Sequence, residues 1–240
     1  MSRVWIGTSG FSYKEWKGPF YPQGLPDSQM LTHYATRLCS VEIDSTFYRM
    51  PTAAILQKWA DSTPPGFRFT IKAPQQITHR ERLRTPSDAT AHLTEIVPTL
   101  KDRCGLLCFQ LPPFLRCDLE RLDAFLKSLP QAIRYAFEFR HESWFVPEVY
   151  SRLREHGVVL CLHDADEGCT PEEVTGTAVY VRLRRSHYAP EGRELWRKKF
   201  LRWADSGVEV FAYVKHKDNP EAPRIALEFA EGFCGENRGQ

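Results

Sequence analysis

Residues 135–144 read Tyr-Ala-Phe-Glu-Phe-Arg-His-Glu-Ser-Trp. Strand alternation sends Phe137 and Phe139 to one face and Glu138 and Arg140 to the other. One face is apolar, and the second carries two opposite charges. Ionised groups leave water only at a cost of several kcal/mol each unless they are paired or hydrogen-bonded. The charged face therefore belongs to a polar pocket or a satisfied ion network, not to a dry core. His141, Ser143 and Trp144 follow in the loop after the strand.

Working outward, similar short apolar or alternating runs recur along the chain. They are Val4 to Ser9, Ser40 to Thr46, Phe67 to Ala73, Gly105 to Leu111, Ala136 to Arg140, Val158 to Asp164, Ala178 to Arg184 and Glu209 to His216. Most are separated by capped stretches with helical spacing. Ser28 precedes Leu31, Tyr34 and Leu38; Thr52 precedes Ile55 and Leu56; Ser87 precedes Leu93 and Ile96; Asp118 precedes Leu122 and Phe125. Strands alternating with helices indicate an α/β fold with a parallel sheet. Eight such units in 240 residues predict a TIM-like (β/α)8 barrel forming a single domain over 1–240, because closure leaves no strand edge unpaired. The sixth unit is expected to be irregular, since Glu167 to Thr175 offers only a turn of helix. An open doubly wound sheet is the alternative, but no G-x-G-x-x-G follows the first strand.

If the apolar positions face the helices, alternation assigns the opposite set to the barrel interior. That set is Glu42, Asp44 and Thr46, then Thr70 and Lys72, Cys108 and Gln110, Glu138 and Arg140, Arg182 and Arg184, and Tyr213 and Lys215. His163 and Asp164 end the sixth strand with ambiguous phase. Most lie near the C-terminal ends of their strands, where barrel enzymes place their sites. Guanidinium forks suit phosphate or carboxylate, and carboxylates suit hydroxyls or proton transfer. The expected ligand is thus a small anion, phosphorylated or carboxylated, with sugar-like molecules included. Arg140, Arg182, Arg184 and Lys215 are assigned to hold it, with Ser9, Asp44, Lys72, His79, Gln110 and Trp144 completing the binding set. Glu42 and Glu138 are the candidate acid and base, and His141 and Asp164 the candidate orienting or proton-shuttling groups. An interior salt-bridge network that only fixes the barrel is the structural alternative. A non-catalytic binding barrel is another, because no unambiguous nucleophile stands out.

Composition narrows the class. Lys and Arg total 32 against 30 Asp and Glu, which does not suggest a surface that coats nucleic acid or membranes. The basic runs Arg80 to Arg84 and Arg197 to Lys199 are expected to be solvated faces. The seven scattered cysteines contain no C-x-x-C pair and are expected to be reduced thiols of a cytoplasmic protein. No run approaches the length of a membrane span.

Other motifs leave two readings each. Gly7-Thr8-Ser9-Gly10 is either a phosphate cradle or a tight turn. The loop bearing Phe11, Tyr13, Trp16, Phe20 and Tyr21 either roofs the mouth or packs on itself. His79, His141, His163 and His216, with the carboxylates, offer donors for a metal-assisted phosphoester hydrolase acting on nucleic acid. No tight ligand spacing supports that choice, and nearby cations oppose it, so no metal or cofactor is expected.

These residues also carry a family likeness. Gly7 to Tyr13 with Trp16 and Phe20-Tyr21-Pro22, Val41 to Tyr48 with Pro51, and Lys72-Ala73-Pro74 with Ile77-Thr78-His79 resemble signatures of the YecE-like family, a domain of unknown function. Phe109 to Pro113, Glu138 to His141 with Ser143-Trp144, Tyr180 to Arg184 and Tyr213 to His216 continue the resemblance. The likeness implies a TIM-like barrel and no established reaction. Many relatives have His-Gly where this chain has Arg184-Arg185, and Phe-Asn-Asn where it has Val214-Lys215-His216, so the charge at the mouth differs within the family.

Overall fold

The computed structural model describes residues 4–215 and 221–233. Eight parallel strands close on themselves: β1 (Val4–Ser9), β2 (Ser40–Ile43), β3 (Arg68–Lys72), β4 (Cys104–Gln110), β5 (Tyr135–Glu138), β6 (Val159–Ala165), β8 (Ala178–Leu183) and β9 (Glu209–Lys215). β1 pairs with both β2 and β9, and β5 meets β6 to complete the ring, though only through Ala136–Val159 and Phe137–Leu160. Helices α1 (Met30–Arg37), α2 (Ala53–Asp61), α3 (Asp88–Ile96), α4 (Leu119–Ser128), α5 (Pro147–Glu155), α6 (Pro190–Asp205) and α7 (Ala222–Ala230) surround it. This is the TIM-like barrel expected from the strand count.

The sixth unit is irregular, as its sequence suggested. Short β7 (Gly168–Cys169) folds back antiparallel on β6, and no helix precedes β8. Side chains of the returning segment bind the backbone of β6 instead. Thr170 Oγ1 accepts from His163 N at 3.1 Å, and Thr175 Oγ1 accepts from Leu160 N at 2.8 Å while donating to Val158 O at 2.7 Å. Such bonds satisfy groups that would otherwise be buried unpaired.

Caps follow the sequence at three helices. Thr52 accepts from Ile55 N, Ser87 from Thr90 N and Asp118 from Arg121 N. Ser28 does not cap α1. It lies in a 3-10 turn over Asp27–Gln29 that runs straight into the helix.

Two apolar cores result. The larger lies between strands and helices and contains Phe109, Phe125, Phe137 and Phe139. The smaller fills the bore with Trp5, Leu106, Cys108, Ala136, Val159, Cys161, Ala178, Tyr180, Phe211 and Tyr213. Trp5 and Phe211 stack there at 4.8 Å. Above them, Tyr213 OH bonds with Ser40 Oγ at 2.7 Å and Thr70 Oγ1 at 2.8 Å, so the bore passes from apolar through hydroxyl-bearing to ionic along the strand direction. Gly7 belongs to this tight wall. A Cβ there would lie 1.8 Å from Ser40 O.

Candidate anion site at the barrel mouth

The ionic layer is built from the ends of strands far apart in sequence. β2 delivers Glu42, β5 delivers Glu138, and β8 delivers Arg182 between them; all three are almost fully buried. Arg182 Nη2 lies 2.6 Å from Glu42 Oε1, and Nη1 lies 2.5 Å from Glu138 Oε2. Glu42 also accepts from Ser9 Oγ at 2.6 Å and from Tyr180 OH. Glu138 accepts from Gln110 Nε2 at 2.7 Å and Arg140 Nε at 3.1 Å. Each carboxylate thus has the charged and neutral donors that burial requires.

Above this floor the side chains become progressively wetter. Lys72 is 11% exposed, Asp44 28% and Arg140 34%. Asp44 Oδ1 takes Arg182 Nη2 at 3.2 Å and Lys72 Nζ at 3.5 Å. Lys72 Nζ also sits 4.3 Å from the centre of the Phe47 ring, and His79 packs edge-on to that ring at 4.9 Å. Arg184 Nη2 approaches Glu138 Oε1 at 3.5 Å, while Arg184 Nε is buried without a hydrogen-bond partner among the described residues. Lys215 ends β9, half-buried, with its charge opposed by Arg184 and Arg182.

The shared surroundings drive the ionisable groups apart. Burial pushes the Glu42 carboxyl up despite the attraction of Arg182. Burial acts on Glu138 too, but Arg182, Arg184, Arg140 and Lys72 overcome it and hold that carboxyl well below the usual range. Asp44 is also lowered, because Arg182, Lys72 and Arg184 outweigh its burial. Lys72 loses proton affinity through burial and the Arg182 charge, His79 through burial and Lys72, and Lys215 through burial and Arg184. Lys72, Arg140, Arg182, Arg184 and Lys215 outnumber Glu42, Asp44 and Glu138, so the layer keeps excess positive charge.

The structure therefore brings together Ser9, Glu42, Asp44, Lys72, His79, Gln110, Glu138, Arg140, Arg182, Arg184 and Lys215. It gives Arg182 a different task from the one its type suggested. Both terminal nitrogens face carboxylates, so it organises the floor.

Three expectations need correction or refinement. Asp164 points outward, with the parity of Leu160 and Leu162, and binds Arg185 Nε at 2.7 Å, Cys169 Sγ at 3.0 Å and Trp196 Nε1 at 2.9 Å. It lines a separate side cavity of about 490 Å³ against α6. Trp144 is packed into the wall. Its ring is buried and stacks on Phe139 at 4.6 Å, and its Nε1 donates to Leu115 O at 2.7 Å. His141 spends Nδ1 as the cap of the turn Glu142–Trp144, accepting from Ser143 N at 3.2 Å.

Among the open motifs, the aromatic loop packs on itself and on α1. Trp16 and Tyr21 are buried, and Phe20 meets Tyr34 at 5.9 Å. The first-strand turn is filled as well. Gly10 has φ +81°, and a Cβ there would lie 2.4 Å from Tyr13 OH, which donates to Ser9 O at 2.9 Å. Among the described residues, no three His, Cys, Asp or Glu side chains gather as metal ligands. His79 bonds Thr78 and His163 bonds Thr170, while His216 lies outside the described residues. Cys104, Cys108, Cys117, Cys161 and Cys169 are free thiols, but Cys39 is disulfide-bonded, which corrects the all-reduced expectation. Cys234 lies outside the described residues. Spacing gave no sign of that bond because the fold, not local sequence, determines which distant cysteines meet. No described helix is long and apolar enough to cross a membrane.

Sequence reasoning missed Tyr180 and Phe47. Tyr180 shares the parity of Arg182, so alternation already placed it on the inner face. Nothing local marked Phe47, whose position depends on the turn after β2.

Comparison with known proteins places these features in a wider group. The chain is 26% identical to the UPF0759 protein YunF of Bacillus subtilis over 236 residues, covering 89% of this chain and 82% of YunF. It is 33% identical to the UPF0759 protein YecE of Escherichia coli K12 over 144 residues, 59% of this chain and half the length of YecE. Its fold matches the crystal structure of a DUF72 family protein from Thermotoga maritima with a TM-score of 0.83 and 27% identity, covering 95% of this chain and 98% of that one. The pattern described as "Protein of unknown function DUF72" matches residues 5–239. A match of that extent, on a barrel shared with a solved relative, makes this chain a member of the DUF72 family.

Proposed function

We propose that the barrel mouth binds a small anionic substrate, carrying phosphate or carboxylate, and acts on it by proton transfer. The observation that carries this reading is the cationic rim above a closed floor. Arg140, Arg184, Lys72 and Lys215 surround the opening, and the buried Arg184 Nε has no internal partner among the described residues. Concentrated positive charge in a partly desolvated mouth favours an anion, and guanidinium offers it geometrically defined bonds.

The floor and rim divide the chemistry. Glu138 is too strongly held in its charged form to be an effective base, so its role is to anchor Arg182, Arg140 and Arg184. Glu42, with its raised carboxyl, is the better proton store, but Tyr180, Ser9 and Arg182 enclose it. Asp44 is the carboxylate open to a ligand, and Lys72 stands beside it. A substrate whose anion lies on Arg140, Arg184 and Lys215 would present its reacting atoms to this pair.

The closed Glu42–Arg182–Glu138 floor also supports a second reading, a non-catalytic binding barrel in which these ions only fix the strands. Both readings require the anion. Thermal unfolding is measured with inorganic phosphate, against sodium chloride of matched ionic strength, for the natural protein, Lys215→Gln and Arg184→Gln. Phosphate should raise the melting midpoint of the natural protein in a saturating manner, and each substitution should weaken that rise. No rise, or an equal rise in all three proteins, would sink the anion site. Turnover in a screen of phosphorylated and carboxylated metabolites, lost in a folded Asp44→Asn protein, separates enzyme from binding barrel.

A further inference from the structure

We propose that Lys72 is a nucleophilic amine that condenses with the carbonyl group of an anionic aldehyde or ketone, forming an iminium at the barrel mouth. This inference rests on the anion-binding reading and names a substrate class for it.

The geometry singles out one amine. Lys72 ends β3, its stem lies within the wall, and its Nζ is bracketed by the Phe47 ring at 4.3 Å and Asp44 Oδ1 at 3.5 Å. The side chain is 11% exposed, which leaves the tip reachable from the mouth. Arg140 and Arg184, which both approach Glu138, cannot give up a proton and so cannot become nucleophiles. A lysine desolvated by its surroundings and placed near another cationic group is a recognised route to an activated amine.

The groups facing Lys72 come from several elements. Arg182 on β8 opposes its charge. Asp44 and Glu42 after and on β2, and Glu138 on β5, favour it. His79 follows β3, and its own protonation is opposed by Lys72. Burial and Arg182 prevail, and the ammonium becomes easier to deprotonate than usual. Asp44, held below its ordinary range by Arg182 and Lys72, is a weak acceptor, so that proton leaves to solvent at the mouth.

The step balances without an outside reagent. Solvent water at the mouth takes a proton from the Lys72 ammonium, and the freed nitrogen pair forms a bond to the carbonyl carbon as the C=O π pair moves to oxygen. Solvent returns a proton to that oxygen, and a second proton passes from nitrogen to it. The C–O bond then breaks, water leaves, and the nitrogen pair completes a C=N bond. In sum, ammonium and carbonyl become iminium and water.

The intact protein is incubated with glyoxylate, and separately with pyridoxal phosphate, in the presence of cyanoborohydride, which reduces an iminium to a stable secondary amine. Peptide mass spectrometry then gives the rate at each lysine. Lys72 should be labelled several-fold faster than exposed Lys198 at neutral pH, since lowered proton affinity enlarges its free-amine fraction. Inorganic phosphate should slow that labelling. Lys72→Arg should lose it while still unfolding cooperatively in phosphate-free buffer, which reports that the variant is folded. Labelling at Lys72 no faster than at Lys198, or concentrated on Lys215, overturns this inference while intact phosphate protection leaves the anion site standing. Slow labelling together with absent protection removes both.

Discussion

Replacing Arg182 by methionine isolates the physics of the floor. Met is long and apolar enough to occupy much of the same space, but Glu42 and Glu138 lose the guanidinium that lies 2.6 Å and 2.5 Å from them. Removing one partner of a buried ion network leaves uncompensated charge and costs about 3–5 kcal/mol. For a chain of this length that corresponds to a fall in melting midpoint of roughly 6–20 °C. The pH dependence gives the sharper test. In the natural protein, Glu138 is held well below its ordinary value of 4.5, so its stabilisation is present above that value and is lost as pH falls through the lowered one. Glu42 has the opposite sign, because its raised carboxyl contributes stability that is lost as pH rises through the raised value. Without Arg182, burial raises Glu42 further, and Glu138 moves up from its lowered value while Arg184, Arg140 and Lys72 still oppose its burial. The variant should then gain stability on acidification, and its deficit should shrink as pH is lowered from about 7 toward about 5. Urea unfolding at several pH values measures this. A deficit under about 1 kcal/mol, the range of a solvated surface pair, or one independent of pH, would refute the buried-network argument.

Two further outcomes test the scaffold. Gly7→Ala places a Cβ 1.8 Å from Ser40 O, so β1 and β2 must separate; we expect a loss above about 4 kcal/mol, read by solubility and thermal unfolding, and a nearly unchanged midpoint would contradict that contact. Trp144→Phe keeps an aromatic ring on Phe139 but leaves Leu115 O without its donor, which should cost about 1–3 kcal/mol. The same variant should retain full phosphate protection, and weakened protection would return Trp144 to the mouth.

The barrel was legible because repeated strand runs and helical spacers are local properties. So was most of the mouth. In Tyr180-Val181-Arg182 and Ala136-Phe137-Glu138, apolar residues facing the helices fix the parity of their neighbours, and parity alone turned Arg182 and Glu138 inward. Asp164 failed for the matching reason. Leu160, Leu162, Val159 and Cys161 are all apolar, so β6 carries no pattern that distinguishes its two faces. Trp144 failed because it lies beyond a strand, where alternation has no force.

By itself the sequence determined the alternation of strand and helix, the weakness of the sixth unit and the set of charged residues at the strand ends. Each follows from side-chain periodicity along a single segment. Only the tertiary structure decided that Arg182 is shared between Glu42 and Glu138, that Asp44 stands 3.5 Å from the largely buried Lys72, and that Asp164 serves a different cavity. Distances across a closed barrel depend on how eight strands tilt and stagger together, and no single strand encodes that arrangement.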